Sequence, residues 1–291
     1  MSDYNKPIIV ISKCLGFDNC KHDGSIENNE FIEKLKKYVK VIPICPEIEC
    51  GLQIHHSKLR IVENNNKEEL LIPNEDLNLT QEMHDFSNKF LNKLTNVDGF
   101  ILKSKSPICA LKDAKVYDTL EKGCAIKREH GFFTKEIIKQ YPYIPIEDEH
   151  RLNNFKIREH FLSRIFILSD FRLIKKSFNF ESLKSFHLKN TLLFLSYSQK
   201  YSKLLDNLIY SDKIEDINIL FKEYEFYLNR LLEKAPRYTS NINVLMKSLE
   251  QFGDKISTEE LQFLWTTIDK YKNGYIPFFM PYPEDLIILN D

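Results

Sequence analysis

The chain has 291 residues, which is enough for two domains of ordinary size, each with its own core. Hydrophobic residues make up 43% of the chain and charged residues 29%, which is typical of a folded soluble protein and excludes a disordered one. The formal net charge of -1 excludes a protein that attracts polyanions through its overall charge, so any nucleic acid must bind a local basic face.

The cellular compartment is predicted from two features of the sequence. The N-terminus carries only a short apolar run, and no stretch reaches the roughly 18 apolar residues that span a bilayer. We therefore expect a cytoplasmic protein without a membrane partner. The 6 cysteines of such a protein are expected to stay reduced and to serve metals or chemistry.

Strand and helix patterns alternate in the first part of the chain. The predicted elements are a strand at 7–12, a helix at 28–40, a strand at 41–44, a hairpin around 64–67, a helix at 79–95 and a strand at 97–104. This order indicates parallel strands joined by right-handed crossovers. The fold class is therefore α/β plus all-α, in which residues 1–128 form a small doubly wound, mainly parallel sheet domain.

The pattern becomes almost entirely helical beyond Gly123, with prolines at the expected helix ends. The predicted helices are 133–141, about 147–176, 181–197, 199–210, 213–234, 240–253 and 257–272. Residues 129–291 are therefore predicted to form a helical domain.

Three cysteines follow predicted strands of the first domain. Cys14 comes after the first strand, Cys45 after the second, and Cys109 a few residues after the strand at 97–104. Because the carboxyl ends of parallel strands share one edge of a sheet, we expect these cysteines to meet in one crevice. Three thiolates there can hold a metal or an iron-sulfur cluster, although each cysteine can instead be a small buried hydrophobe. The spacing is not that of a zinc site.

Three cysteine-containing motifs and one helical segment resemble a known family. KCLGFDNCKHDG, CPEIECGL and GFILKSKSPIC occur in that order, and EDEHRLNNFKIREHFLSRIF follows them. Together they resemble the thiouracil desulfidase (TudS-like) family in its two-domain form, with a YbgA-like C-terminal domain, over nearly the whole chain. The resemblance implies a [4Fe-4S] cluster held by Cys14, Cys45 and Cys109, with the fourth iron open to the sulfur of the substrate.

The remaining cysteines and the catalytic groups are also assigned through this resemblance. Cys20 is expected to be a neighbour of the cluster rather than a ligand, and two further cysteines match no motif, Cys50 and Cys124. Glu47 is implied as a catalytic acid or base. The chain reads SPICA where the family commonly reads SPSCG, so Ile108 replaces the second serine of the motif, and Ser106, which matches the first, is the surviving candidate for a catalytic hydroxyl.

The roles of several polar residues near these motifs are interpreted as follows. Lys103 and Lys105 either offer positive charge to a substrate anion or are simply solvated. Asp23 and Gly24 are expected to form a turn that shapes the loop of the first motif. His55 and His56 are interpreted as a surface pair.

The implied reaction replaces the sulfur of 4-thiouridine by oxygen, giving uridine and sulfide without net redox change. Two-domain relatives act on 4-thiouridine in tRNA, so thiolated tRNA is the expected partner, and a free thiouracil-type base or nucleoside is a variant of it. The lysines and arginines between residues 151 and 189 either track a phosphate backbone or form a solvated face. The alternative function is a noncatalytic RNA-binding or redox-sensing module that carries a cluster. The oligomeric state is not predicted.

Overall fold

The computed structural model describes residues 6–21, 23–53, 58–73, 75, 77–121, 123–211, 216–252, 257–273 and 275. The chain divides into two compact units, Met1–Phe161 and Leu162–Asp291. Within the described ranges, no helix combines the length and the apolarity that crossing a membrane requires.

The first unit is an α/β unit with two sheets. Its elements in chain order are β1 (Ile8–Ser12), α1 (Glu30–Leu35), β2 (Lys40–Ile44), α2 (Pro46–Glu49), β3 (Arg60–Asn64), β4 (Lys67–Ile72), β5 (Leu77–Asn78), α3 (Thr80–Lys93), β6 (Gly99–Leu102), β7 (Ala114–Tyr117), β8 (Lys127–Glu129), α4 (Phe132–Gln140) and β9 (Ile146–Asp148). A 3-10 turn follows at Arg151–Asn153. The predicted alternation of strands and helices is confirmed.

The first sheet is parallel throughout and has the strand order β2-β1-β6-β9. β1 lies inside this sheet, and its β-branched residues Ile9, Val10 and Ile11 are buried. Such a continuous apolar run is expected of a parallel strand, because both of its faces are covered. The chain passes from β1 to β2 on one side and returns to β6 on the other. The order therefore reverses at β1 and β6, where open α/β sheets bind their ligands.

The second sheet has the order β5-β4-β3-β7-β8 and is mixed. Its centre is the predicted hairpin, in which β3 and β4 pair antiparallel across a turn at Asn65 and Asn66. Both asparagines have positive φ, a conformation that asparagine tolerates better than most residues. β7 then pairs parallel to β3, an interaction that the local pattern does not reveal.

The predicted helix over 147–176 is wrong at its beginning. Residues Ile146–Asp148 form β9, which pairs parallel with β6, and the helix α5 starts later and covers Phe155–Ser177. Asp148 ends the strand, because its carboxylate accepts a hydrogen bond of 2.8 Å from the backbone N–H of Arg151. Since β9 belongs to the parallel sheet, the first unit extends to Phe161 rather than to the expected residue 128.

The second unit is helical, as predicted. α5 continues into it and is followed by α6 (Phe180–Tyr197), α7 (Gln199–Tyr210), α8 (Ile217–Leu231), α9 (Tyr238–Phe252) and α10 (Thr258–Lys272). Its core is rich in aromatic rings; those of Phe171 and Tyr224 stack with centroids 5.6 Å apart. Side chains of Asn179, Ser198, Asp216 and Ser257 cap the starts of α6, α7, α8 and α10.

Candidate metal centre at the sheet edge

The three motif cysteines follow three neighbouring strands of the parallel sheet. Cys14 lies in the turn after β1, Cys45 is the N-cap of α2 directly after β2, and Cys109 lies in the turn after β6. All three side chains are buried, with exposed fractions of 9%, 8% and 6%. Because β2, β1 and β6 are adjacent and parallel, their carboxyl ends bring these thiols to one edge of the sheet.

A fourth thiol belongs to the same group. The buried Cys20 thiol makes side-chain contacts with Cys14 and Cys45, and the Cys45 thiol donates to the backbone carbonyl of Cys20 at 3.8 Å. The contact with Cys14, and then burial, raises the pKa of Cys20 to about 12. The sequence placed Cys20 in a turn as a neighbour of the site, and the structure puts it in contact with two of the expected ligands.

The thiols of Cys45 and Cys109 are also stabilised in their protonated forms. The hydrogen bond with Cys20, and then burial, raises the pKa of Cys45 far above its ordinary value. Burial, followed by the nearby Glu47 carboxylate, raises the pKa of Cys109. A metal that binds these sulfurs must therefore displace protons, because thiolates are the ligating form.

Ser106 organises the turn that carries Cys109. Its hydroxyl oxygen accepts hydrogen bonds of 3.1 Å from the backbone N–H groups of Ile108 and Cys109. The same hydroxyl contacts the Cys109 thiol and lowers the pKa of that thiol, opposing burial. The sequence-predicted hydroxyl thus lies directly beside a predicted ligand.

The N-terminus of α4 holds the same turn from the other side. The backbone N–H of Phe132 donates to the carbonyl of Pro107 at 3.1 Å, and the Thr134 hydroxyl donates to the carbonyl of Cys109 at 2.8 Å. This approach requires glycine at residue 131, where a Cβ atom would lie 2.3 Å from the carbonyl oxygen of Ile108. The turn is therefore fixed by backbone contacts as well as by Ser106.

Ser12 is a site residue that the sequence analysis missed. It ends β1, is 2% exposed, and its hydroxyl contacts the Cys109 thiol. The hydroxyl oxygen also accepts a hydrogen bond of 2.9 Å from the backbone N–H of Lys103. A polar residue at the end of an apolar strand is the signal that could have identified it.

Glu47 lies close enough to two of the cysteines to influence their charge. It occupies the first turn of α2, and its carboxylate raises the pKa of both Cys45 and Cys109. The side chain is half-buried, whereas Glu49 on the same short helix is exposed. The structure therefore brings the predicted acid or base to the thiols.

Neither interpretation offered for Lys103 matches its environment. Its ammonium group is mostly buried and pairs with Glu27 at 3.1 Å and with the buried Glu149. Burial disfavours its charged form, but these two carboxylates raise its pKa overall. Lys105 has a φ of +59°, and its backbone N–H donates to Asp113 at 2.8 Å.

The remaining sequence-predicted residues are more peripheral. Gly24 has a φ of +72° and Asp23 accepts hydrogen bonds from Ser25, which confirms the predicted turn. Cys50 donates to the backbone carbonyl of Glu82 at 3.8 Å. Cys124 is exposed, and the predicted surface pair His55 and His56 lies outside the described residues.

The spacing of the thiols tests which metal centre they fit. Among the described residues, no three thiols lie within 4.8 Å of one another. A tetrahedral zinc with bonds of about 2.3 Å requires sulfur atoms about 3.8 Å apart, so the group is too wide for one zinc ion. Cysteine thiolates are the usual ligands of iron-sulfur clusters, so the donor chemistry of this group suits such a cluster. One other group does satisfy the spacing, Glu27 with Glu149 and His150, but the Lys103 ammonium already binds both of its carboxylates.

Comparisons with known proteins found two family models and one solved structure that are similar to parts of this chain. Residues 9–149 match the family model described as 2-thiouracil desulfurase, and residues 191–283 match a domain of unknown function, DUF1722. A search of curated proteins found no match. A solved structure described as "[4Fe-4S]-dependent thiouracil desulfidase TudS" is 19% identical, covers 51% of this chain and 94% of its own, and has a TM-score of 0.41.

The fold and the site therefore define a desulfurase-type α/β domain followed by a helical domain. The two matched models, in this order along the chain, support the two-domain, TudS-like family that the motifs indicated.

Proposed function

We propose that this protein is an iron-sulfur-dependent desulfidase that converts 4-thiouridine in tRNA to uridine and sulfide without net redox change. The observation that carries the proposal is the convergence of Cys14, Cys45, Cys109 and Glu47 at one sheet edge, in a chain whose first unit matches the desulfurase family. That match supports the thiouracil-type substrate.

Cys14, Cys45 and Cys109 are the proposed ligands of a [4Fe-4S] cluster with one iron left without a protein ligand. When bound, the cluster would supply a Lewis acid for the soft sulfur of the substrate. Cys20, which contacts Cys14 and Cys45, is proposed as a neighbour of the cluster rather than a fourth ligand, because the motif resemblance implies only three. The three ligand thiols must lose their protons as the cluster is loaded.

Glu47 is the proposed acid and base. Its carboxylate takes a proton from the attacking water, whose oxygen forms a bond to the carbon that carries sulfur. The bond between that carbon and sulfur then breaks, and the proton held by Glu47 goes to the leaving sulfur, which departs as hydrosulfide. Glu47 takes the remaining hydroxyl proton as the carbonyl forms and passes it on to the hydrosulfide. The atoms balance, since one thiocarbonyl and one water give one carbonyl and one hydrogen sulfide, and no electrons are gained or lost.

Ser106 is the second proposed catalytic residue. Two backbone N–H groups donate to its oxygen, so its own hydrogen is left to donate toward Cys109 and toward a sulfur bound beside it. A donor at that position stabilises negative charge that develops on sulfur. Ser12 supports the same thiol from β1.

The tRNA part of the proposal comes from the two-domain resemblance and assigns RNA binding to the helical unit. Lys176 and Lys189 are exposed on α5 and α6, whereas Lys175 pairs with Glu225. Phosphate contacts depend on charge rather than on base sequence, so exposed lysines of this kind suit a tRNA backbone. A free nucleoside would use the same site without these contacts.

The test uses the full chain, purified and loaded with iron and sulfide under anaerobic conditions. Sulfide release is measured from thiolated tRNA and from free 4-thiouridine. Glu47→Gln should lower kcat roughly 100-fold or more while the visible absorbance of the cluster stays unchanged. Glu49→Gln is the matched control on the same helix and should retain wild-type activity.

Each alternative gives a different result in this experiment. An iron-loaded wild-type chain that binds tRNA but releases no sulfide would establish the noncatalytic module instead. Zinc in place of iron would indicate a zinc-dependent hydrolase. Full activity of Glu47→Gln would remove Glu47 from the mechanism, and faster turnover of the free nucleoside than of tRNA would overturn the tRNA assignment.

A further inference from the structure

One carboxylate links the loop that carries two cysteines to the strand that leads to a third. Glu27 follows the first motif, and its backbone N–H donates to the carbonyl oxygen of Cys14 at 2.9 Å. Its carboxylate accepts from the ammonium of Lys21 at 2.8 Å and pairs with that of Lys103 at 3.1 Å. Lys21 is the residue directly after Cys20, so Glu27 contacts both cysteine-bearing ends of this loop.

The other partner, Lys103, belongs to the segment that leads from β6 to Cys109. Its backbone N–H donates to the Ser12 hydroxyl, which contacts the Cys109 thiol. Its ammonium also binds Glu149, which follows β9 and is only 1% exposed. The hub formed by Glu27, Lys21, Lys103 and Glu149 therefore spans the loop after β1 and the ends of β6 and β9.

At the buried end of this hub, Glu149 is held by several hydrogen bonds. Glu149 accepts hydrogen bonds from the backbone N–H of Ser104 at 2.9 Å and from the Ser104 hydroxyl at 2.6 Å, in addition to its pair with Lys103. A buried carboxylate is tolerated when it is paired and hydrogen-bonded in this way. Lys103 is thereby held in place, and the loop of Cys14 and Cys20 is attached to it through the half-buried Glu27.

We propose that Glu27 is a positioning residue that fixes the loop of Cys14 and Cys20 against the segment leading to Cys109, so that the thiols are assembled before any metal binds. The inference rests on the proposed function, because it concerns the ligands of that same site. Glu27 acts through its contacts with Lys21, Lys103 and the Cys14 carbonyl. Burial opposes the charged form of Glu27, but the hydrogen bonds and charges of Lys21 and Lys103 outweigh it and lower the pKa of Glu27 overall.

The test measures the accessibility of each thiol in the metal-free full chain, by timed iodoacetamide labelling and mass spectrometry. Glu27→Gln keeps the shape of the side chain and removes its charge. It should raise the labelling rates of Cys14 and Cys20 about five-fold, because loss of a half-buried ion-pair hub makes local opening easier. The exposed Cys124 is the internal reference and should label at an unchanged rate.

Two further variants separate positioning from general destabilisation. Lys21→Met removes only one partner of Glu27 and should give a smaller increase in labelling. Glu30→Gln breaks the exposed pair with Lys34 on α1, which involves no residue of the hub, and should give none. The melting temperature of Glu27→Gln should match that of Glu30→Gln, whereas a purely structural role would lower it and raise labelling at every buried cysteine.

Iron loading distinguishes failure of this inference from failure of the proposed function. In the loaded protein, Glu27→Gln should lose iron to a chelator about five-fold faster than the wild type. Wild-type labelling rates together with wild-type iron retention in Glu27→Gln would overturn the positioning role and leave the desulfidase standing. A wild-type chain that takes up no iron would overturn the desulfidase, and the labelling result would still decide the role of Glu27.

Discussion

The two units bury polar side chains in different ways. In the α/β unit, four of the buried polar residues lie where the parallel strands end, namely Ser12, Ser104, Asp148 and Glu149. In the helical unit, a polar cluster lies inside an aromatic core, where His187 hydrogen-bonds to the Tyr224 hydroxyl at 3.0 Å and to Asp206 at 2.9 Å. Ser12 and Asp148 are the last residues of β1 and β9, and Ser104 and Glu149 follow β6 and β9, whereas the second set joins packed helices.

This difference shows which part of each unit the buried polar groups hold in place. Burying a carboxylate or a serine costs free energy unless every partner is in place, so such groups at a sheet edge indicate a geometry that must be held. Three of the four, Ser12, Ser104 and Glu149, connect to the segment that carries Cys109. The polar contacts of His187 instead fix the packing of α6 against α7 and α8.

Among the predicted changes, removal of the cysteines at the sheet edge should have the largest effect, which is loss of bound iron. Cys14→Ala, Cys45→Ala and Cys109→Ala should each lose nearly all bound iron, because a cluster with two protein ligands is held too weakly to survive purification. Cys20→Ala should keep most of its iron, and Cys124→Ala should behave as the wild type. Iron and acid-labile sulfide per chain are the measurements.

Cys20→Ala is a strict test of the proposed ligand set, because the Cys20 thiol contacts both Cys14 and Cys45. Loss of iron in Cys20→Ala equal to the loss in Cys14→Ala would show that the ligand set is wrong. Retention of iron in Cys109→Ala would show that the turn after β6 does not contribute a ligand.

Gly131 tests whether backbone packing holds the same turn. An alanine Cβ there would lie 2.3 Å from the Ile108 carbonyl oxygen and 2.8 Å from the backbone nitrogen of Cys109. Gly131→Ala should therefore lower the free energy of unfolding by about 2 kcal/mol and reduce iron retention. Gly123→Ala is the matched control, because its nearest neighbour would lie at 4.0 Å. Equal free energies of unfolding for the two variants would show that the turn of Cys109 can shift to accept the added methyl group without loss of stability.

The local hydrophobic pattern of the sequence was sufficient to predict most of the strands and helices near the site. The apolar strands β1, β2 and β6 and the helix α3 follow from periodicity, and the order of strands and helices then indicates a shared edge for the three motif cysteines. β9 was missed because its three residues acquire strand geometry only by pairing with β6. The parallel contact between β3 and β7 was missed for the same reason.

The hub around Glu27 could not be predicted, because its members are distant in sequence. Lys103 is 76 residues from Glu27 and 46 from Glu149, and its bond to Ser12 spans 91 residues. Nothing in the local pattern distinguishes such carboxylates from solvated ones. Motif resemblance identified residues that contact the proposed cluster or substrate, whereas the residues that hold them in place became visible only in the structure.

The smallest expected effect concerns the helical unit and its pH dependence. Burial holds the pKa of His187 below its ordinary value of 6.5, although the hydrogen bond to Asp206 opposes this. Below about pH 6.5 the unfolded chain therefore binds a proton that the folded chain does not, and stability falls as the pH falls through this range. The other titratable groups facing the ring are Tyr224 and Tyr210.

Urea unfolding followed by fluorescence of Trp265, the only tryptophan, reports on this unit because that residue lies in α10. The wild type should lose stability between about pH 7.5 and pH 5.5, by less than Gly131→Ala costs, and His187→Gln should flatten that dependence. His130→Gln, in the first unit, should leave it unchanged. The same slope in wild type and His187→Gln would show that the buried imidazole is not the titrating group, and the helical core would then have to contain another.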